Sequence, residues 1–86
     1  MKRLKTKEYS RDHTKQRLLE RYGIEISDAE YQELCDQVAD KKETTFISSE
    51  RQKKDIQQIY YIVFKQVTVK LVWSKSLRYI KTVLPI

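Results

Sequence analysis

The sequence predicts an α+β domain in which two N-terminal helices pack on a three- to four-stranded antiparallel sheet. Apolar side chains recur at helical spacing in the first half of the chain, whereas β-branched and aromatic residues dominate from residue 57 onward. The connections between the predicted strands of the second half are too short for a crossover, so neighbouring strands must be antiparallel. Amphipathic helices need a surface that covers their apolar faces, and the sheet provides one.

The chain is expected to form a single domain over residues 1–86. A basic tail, residues 1–9, precedes two helices within residues 10–42. Residues 43–56 are expected to hold a short strand followed by a mobile basic loop. Residues 57–86 are expected to form the antiparallel sheet, so the chain is divided into a helical half and a β half.

Local signals mark both helices. The first is expected from Ser10 to Tyr22, where Gly23 can end it in a left-handed conformation. The second begins at a capping box made by Ser27 and Glu30. Its buried face follows the i, i+3, i+4, i+7 repeat of Tyr31, Leu34, Cys35 and Val38.

Two short loops predict the register of the sheet. If Lys65 and Gln66 form a two-residue turn, Phe64 pairs with Val67. If residues 74–77 form the next turn, the predicted core face carries Tyr60, Ile62, Phe64, Val67, Val69, Leu71, Trp73, Ile80 and Leu84. The opposite face then carries Tyr61, Lys70 and Lys81 in one cross-strand row, with Thr68, Tyr79 and Ile59 beside them. A slip of one residue would exchange the two faces, so which face is exposed stays open.

The charge distribution indicates an anionic partner. The net charge is +6, and residues 1–21, 22–50 and 51–86 carry +5, −6 and +7 respectively. On the first helix, His13, Arg17 and Arg21 recur every four residues and therefore lie within about 80° of each other around its axis. A basic head and tail of this kind are typical of nucleic-acid-binding proteins, and nucleic acid is the expected partner.

Composition argues against several other classes. A single cysteine cannot form an intramolecular disulfide, and without a Cys/His cluster neither a metal nor a cofactor is predicted. No apolar stretch reaches the ~18 residues of a membrane span. The sequence therefore predicts a cytoplasmic protein with no membrane partner.

The order of elements resembles a known superfamily. A helix reading H-T-K-Q-R-L-L-E-R, a Gly-Ile turn, an acidic second helix and a three-stranded end finishing in T-V-L-P are similar to the small RelE-like and barnase/EndoU/colicin-like ribonucleases. That superfamily includes uncharacterised phage and mobile-element members, and the resemblance covers residues 10–86. It implies an RNA-binding, metal-independent endoribonuclease of toxin type, with an acidic antitoxin or a host protein as a further partner.

The resemblance implies two alternative placements of the site. One carries over a helix histidine, a nearby cation and a hydroxyl on the last strand, which are His13, Arg17 and Thr82. The RelE-type alternative uses the exposed sheet face. Taken together, the predicted catalytic residues are His13, Arg17, Lys70, Tyr79 and Thr82. The predicted nucleic-acid-binding residues are Arg21, Tyr61, Lys70, Arg78 and Lys81.

Each of these residues also has a plainer interpretation. His13 lies opposite the apolar arc of its helix and could be a solvated surface histidine. Arg17 and Arg21 could form pairs with Glu20 and Glu25 within the helical region. The two lysines could protect a sheet edge, the tyrosines could be packing residues, and Thr82 could be a strand former.

Two further functions stay open beside the ribonuclease. The alternative is a non-catalytic phage or mobile-element protein that binds and inhibits a host protein. A DNA-binding accessory protein ranks lower, because the sequence has no recognisable recognition helix.

Overall fold

The structure, a computed structural model, describes residues 6–53 and 55–85. Its elements are α1 (Thr6–Tyr22), α2 (Asp28–Ala39), β1 (Thr44–Gln52), β2 (Asp55–Phe64), β3 (Val67–Ser74) and β4 (Tyr79–Leu84). The strands form one antiparallel sheet in the order β1-β2-β3-β4. The predicted α+β class, with two helices packed on an antiparallel sheet, is confirmed.

α1 begins earlier than predicted. It starts at Thr6 instead of Ser10, so residues 6–9 of the predicted basic tail are helical. The rest of that tail, residues 1–5, lies outside the described residues. Gly23 follows the helix with φ of 68°, the left-handed conformation that the sequence predicts for its end.

α2 matches its prediction closely. The Ser27 hydroxyl accepts a hydrogen bond from the Glu30 backbone at 3.2 Å, and the Glu30 carboxylate accepts one from the Ser27 backbone at 2.9 Å. The predicted apolar face is buried in the core. From this face the Tyr31 hydroxyl donates to the Ile80 carbonyl at 2.6 Å, so α2 is also bonded to β4.

The polar stretch after Ser48 is not the mobile loop that the sequence predicted. β1 continues to Gln52, and β2 begins at Asp55, so the two strands form one long hairpin. Pairing with β2 holds these polar residues in a strand, and polar side chains suit an exposed edge strand. Lys54, from the predicted basic loop, lies outside the described residues.

The hairpin of β2 and β3 has the predicted register. Phe64 pairs with Val67, and Ile62 with Val69. The turn residues Lys65 and Gln66 have φ of 50° and 64°, as a two-residue type I′ turn requires.

The register of β3 and β4 differs from the prediction. The turn occupies residues 75–78, so Ser74 pairs with Tyr79, and Trp73 pairs with Ile80 instead of Arg78. Farther along β4 the pairing shifts, and Lys81 is an extra residue in a β-bulge. A bulge of one residue reverses the face to which the following side chains point.

The bulge changes the membership of the core. Val83 is 1% exposed and takes the place predicted for Leu84. Thr82, which the predicted register places on the core face, instead pairs with Val72 on the opposite face. The remaining predicted members are buried or partly buried: Tyr60, Ile62, Phe64, Val67, Val69, Leu71, Trp73 and Ile80.

α1 packs along β4. Arg21 donates from Nη1 to the Val83 carbonyl at 2.7 Å. The Tyr22 hydroxyl donates to the Leu84 carbonyl and accepts from the Lys70 backbone N–H, which links the end of β4 to the middle of β3. Among the described residues, neither helix is both long and apolar enough to cross a membrane.

Candidate functional site

A shallow groove lies between α1 and the sheet face opposite the core. Its volume is about 430 Å³, and its lining residues are Tyr9, Ser10, His13, Gln57, Val72, Lys81 and Thr82. Small-ligand sites usually measure about 300–1,000 Å³. The fold therefore brings His13 and Thr82, two of the predicted catalytic residues, into one groove of suitable size together with Lys81.

The β-bulge is the reason that these residues meet. If Lys81 paired regularly with Val72, Thr82 would pair with Leu71 and point toward the core, as the predicted register has it. With the bulge, Thr82 pairs with Val72, and both side chains line the groove. Bulges commonly re-aim side chains beside functional sites in this way.

An aromatic ring accompanies the histidine at the groove. The rings of Tyr9 and His13 are stacked with centroids 5.9 Å apart and planes inclined by 12°. Tyr9 is 60% exposed, so its ring is accessible to a ligand. The sequence prediction missed Tyr9 because it placed that residue in the tail. The four-residue spacing from His13 would have identified it once the helix is extended to Thr6.

Lys81 lines the groove and also contacts Asp55, at the neighbouring end of the sheet. Its Nζ lies 3.8 Å from Oδ2 of Asp55, and that oxygen has no hydrogen bond within the described part of the chain. Burial opposes ionisation of Asp55, but hydrogen bonds from Ser74 and Ser76 outweigh burial and lower its pKa. Asp55 is therefore a carboxylate at neutral pH, and its long contact with Lys81 leaves the ammonium group within reach of the groove.

The other three predicted catalytic residues lie outside the groove. Arg17 donates to Glu20 at 2.7 Å, which is the plainer pairing that the sequence also allowed. Lys70 pairs with Tyr61 as predicted, but its other neighbour is Leu84, so the predicted row of Lys70 and Lys81 does not form.

Tyr79 was predicted on the exposed face, and this prediction is wrong. It is 4% exposed: the register leaves it on the predicted face, paired with Ser74, but α1 packs against β4 there and brings Ser10 close to its hydroxyl. Burial raises the pKa of its phenol, although the nearby Ser10 hydroxyl partly offsets this effect. The Tyr79 hydroxyl makes no hydrogen bond of good geometry among the described residues. Its burial in the core cluster favours the plainer interpretation of Tyr79 as a packing residue.

The predicted nucleic-acid-binding residues are dispersed. Arg21 is bonded to the Val83 carbonyl and fastens α1 to the sheet. Tyr61 lines a separate depression of about 460 Å³ on the outer sheet face. Arg78 is exposed in the turn between β3 and β4, with φ of 61°. Of this set, only Lys81 lines the groove of His13.

Every cation of α1 has a partner within the molecule. Lys15 and Arg11 contact the Asp28 carboxylate at the start of α2, at 2.7 and 3.4 Å. Lys7 donates to Gln32 of α2 at 2.9 Å. Arg17 pairs with Glu20 within α1, and Arg21 donates to a backbone carbonyl of β4, so both arginines of the predicted row on α1 have an internal partner.

The described residues offer no ready metal site. Within residues 6–53 and 55–85, no three His, Cys, Asp or Glu side chains lie close enough together to hold an ion.

Cys35 is a core residue. Burial raises the pKa of its thiol, as expected in an apolar environment.

Comparison with known proteins gives no match. No family model matches the chain, and no curated protein or solved structure is detectably similar to it. The groove of His13 and the charges around it are therefore the basis for a functional assignment.

Proposed function

We propose that this protein binds single-stranded RNA and cleaves it without a metal ion, with His13 as the proton acceptor. The observation that carries the proposal is the convergence of His13, Lys81 and Thr82 in one groove. Such cleavage needs a base for the ribose 2′-hydroxyl and positive charge beside the phosphate. Imidazole exchanges protons near neutral pH, and an ammonium group supplies the charge.

In the proposed reaction the 2′-oxygen attacks the adjacent phosphorus while His13 removes its proton. The new oxygen–phosphorus bond forms as the bond to the 5′-oxygen breaks, which leaves a 2′,3′-cyclic phosphate. The departing 5′-oxygen takes its proton from water in the open groove. Lys81 neutralises the charge that develops on the phosphate, and the Thr82 hydroxyl donates a hydrogen bond to a phosphate oxygen.

The groove also has groups suited to a nucleobase. The exposed ring of Tyr9 can stack on a base, which is how proteins usually recognise unpaired RNA. The amide of Gln57, on the opposite side of the groove from α1, can donate and accept hydrogen bonds at a base edge. The stacking contact supports a single-stranded substrate, because neighbouring base pairs cover the faces of a paired base.

Cleavage of labelled RNA by the pure protein in EDTA tests the proposal. Fragments ending in cyclic phosphate are expected, and an all-deoxy strand of the same sequence should stay intact because it lacks the 2′-hydroxyl. His13→Ala should slow cleavage about 10²–10⁴-fold, the usual contribution of a general base. Gln16→Ala, at an exposed position of α1 that does not line the groove, is the control and should cut normally.

Intact RNA with wild-type protein would refute the proposal. Equal rates for His13→Ala and wild type would also refute it, because another group would then be the base.

Binding of a host protein is the second candidate, and the open sheet edge favours it. β1 is an edge strand on which Phe46 and Ile47 are 53% and 39% exposed. Edge strands of this kind can pair with a strand of another protein. Phe46→Lys should abolish capture of such a partner while leaving RNA cleavage unchanged, so one variant separates the two functions.

A further inference from the structure

Two hairpin turns lie side by side at one end of the sheet. One joins Gln52 to Asp55, and the other spans residues 75–78. The Lys75 backbone donates to the Ile56 carbonyl at 2.9 Å, and the Ser74 hydroxyl donates to Asp55 at 2.9 Å. These bonds fix the second turn against the start of β2.

The turns carry exposed positive charge. Arg51, Lys53, Lys75 and Arg78 are all exposed, and within the described part of the chain no salt bridge includes any of them. The carboxylates nearest in sequence are Glu50 and Asp55, and Asp55 is already bonded to Ser74 and paired with Lys81. This end of the sheet is therefore positive, with its cations available to a ligand.

We propose that these four residues, the basic turn end, bind the phosphate backbone of the single-stranded RNA whose cleavage is proposed for the His13 groove. The inference rests on that proposed function and assigns its substrate an anchoring surface. Asp55 lines the depression between the turns, and its ion-pair partner Lys81 lines the groove. The two surfaces are thus adjacent, and a strand bound at the turns leads to His13.

The spacing of the turns favours an extended polyanion over a single small anion. The centres of the two turns are two strand spacings apart, about 10 Å, which exceeds the size of one phosphate group. A backbone with successive phosphates can contact both turns at once. The ring of Tyr9 at the adjoining groove requires an unpaired base, so single-stranded RNA fits both surfaces.

Fluorescence anisotropy with a 2′-O-methyl RNA 12-mer in EDTA tests the inference without any cleavage. Lys75→Gln/Arg78→Gln should weaken binding about 20-fold at 0.1 M salt and make the slope of log K against log salt shallower by about 1.4, since two phosphate contacts are lost. Arg51→Gln/Lys53→Gln, at the end of β1 and in the turn that follows it, should weaken binding and reduce the salt slope by the same amounts.

Arg11→Gln/Lys15→Gln is the matched control. It removes one arginine and one lysine, as each turn variant does, but both side chains already contact Asp28. Its RNA affinity should stay close to that of wild type, and its melting temperature should fall. The turn variants should melt like wild type, because no described carboxylate depends on those four side chains.

Equal weakening by the control pair would overturn the inference, because affinity would then follow net charge alone. Equal affinity for polyglutamate, with the same variant pattern, would make the turns a site for acidic polypeptides and overturn the RNA assignment. No RNA binding at 0.05 M salt would refute the inference together with the binding half of the proposed function. Normal binding without cleavage of unmodified RNA would refute only the chemistry.

Discussion

The cations of α1 and those of the basic turn end differ in what they contact. On α1, Arg11 and Lys15 contact Asp28, and Arg17 contacts Glu20. At the basic turn end, no described carboxylate pairs with Lys75 or Arg78. The sequence gives both regions positive charge, but the cations of the basic turn end have no ion-pair partner among the described residues.

The difference shows how the acidic middle of the chain acts. The start of α2 places Asp28 against α1, so part of the negative charge of residues 22–50 neutralises the helix that precedes it. No described carboxylate of α2 pairs with the cations of the basic turn end, so that end keeps its charge. A polyanion that releases its counterions gains most where the cations have no internal partner.

The largest expected effect is on the cleavage rate, and it distinguishes Lys81 in the groove from Arg17 on α1. Lys81→Ala should slow RNA cleavage about 100-fold, because it removes the cation beside the reacting phosphate. Arg17→Ala should change the rate by less than about threefold, since its guanidinium is held by Glu20 at the surface. Single-turnover cleavage assays measure both. Comparable losses from the two substitutions would place the reaction away from the groove.

A smaller effect, on the free energy of unfolding, should distinguish Arg21 from Arg78. Arg21→Gln removes a partly buried hydrogen bond to the Val83 carbonyl and should lower the free energy of unfolding by about 1–2 kcal/mol. Arg78→Gln should change it by less than about 0.5 kcal/mol, because the side chain is exposed in a turn. Urea denaturation gives both values. A larger loss from Arg78→Gln would mean that the basic turn end has a structural role.

The smallest effect concerns the contact of α1 with Asp28. The hydrogen bond from Lys15 lowers the pKa of Asp28 from its ordinary value of 3.8. A pKa that is lowered in the folded state stabilises the protein at pH values above the ordinary pKa. This stabilisation is lost as the pH falls through the folded-state pKa. Asp28→Asn should thus melt slightly below wild type at pH 7, and the difference should disappear near pH 2. A difference that persists there would require a cause other than charge.

Local sequence signals predicted the elements that depend on neighbouring residues. The capping box of Ser27 and Glu30 and the two-residue turn at Lys65 and Gln66 involve contacts between near neighbours, and both are confirmed. The pairing of Arg17 with Glu20 is equally local, and the sequence offered it as an alternative. Contacts of this range are set by spacing along the chain.

The errors arise where distant segments decide the structure. No local sequence pattern near Lys81 predicts a bulge. The neighbouring Ile80 carbonyl accepts a hydrogen bond from Tyr31, a residue of α2 that is distant in sequence. That single shift buried Val83 in place of Leu84 and turned Thr82 toward His13. The polar end of β1 was likewise assigned to a loop, because pairing with β2, and not its own composition, makes it a strand.

An NMR titration of ¹⁵N-labelled protein with the 2′-O-methyl RNA 12-mer tests the central claim most directly. Amide shifts should concentrate on the two turns and in the groove, at Lys53, Lys75, Lys81, Thr82 and His13, and should decrease together as salt is raised. The amides of Arg17 and Arg21, which lie farther along α1 and do not line the groove, should stay unchanged, because their side chains already have internal partners. Shifts confined to α1, with none at the turns or at Thr82, would contradict the account.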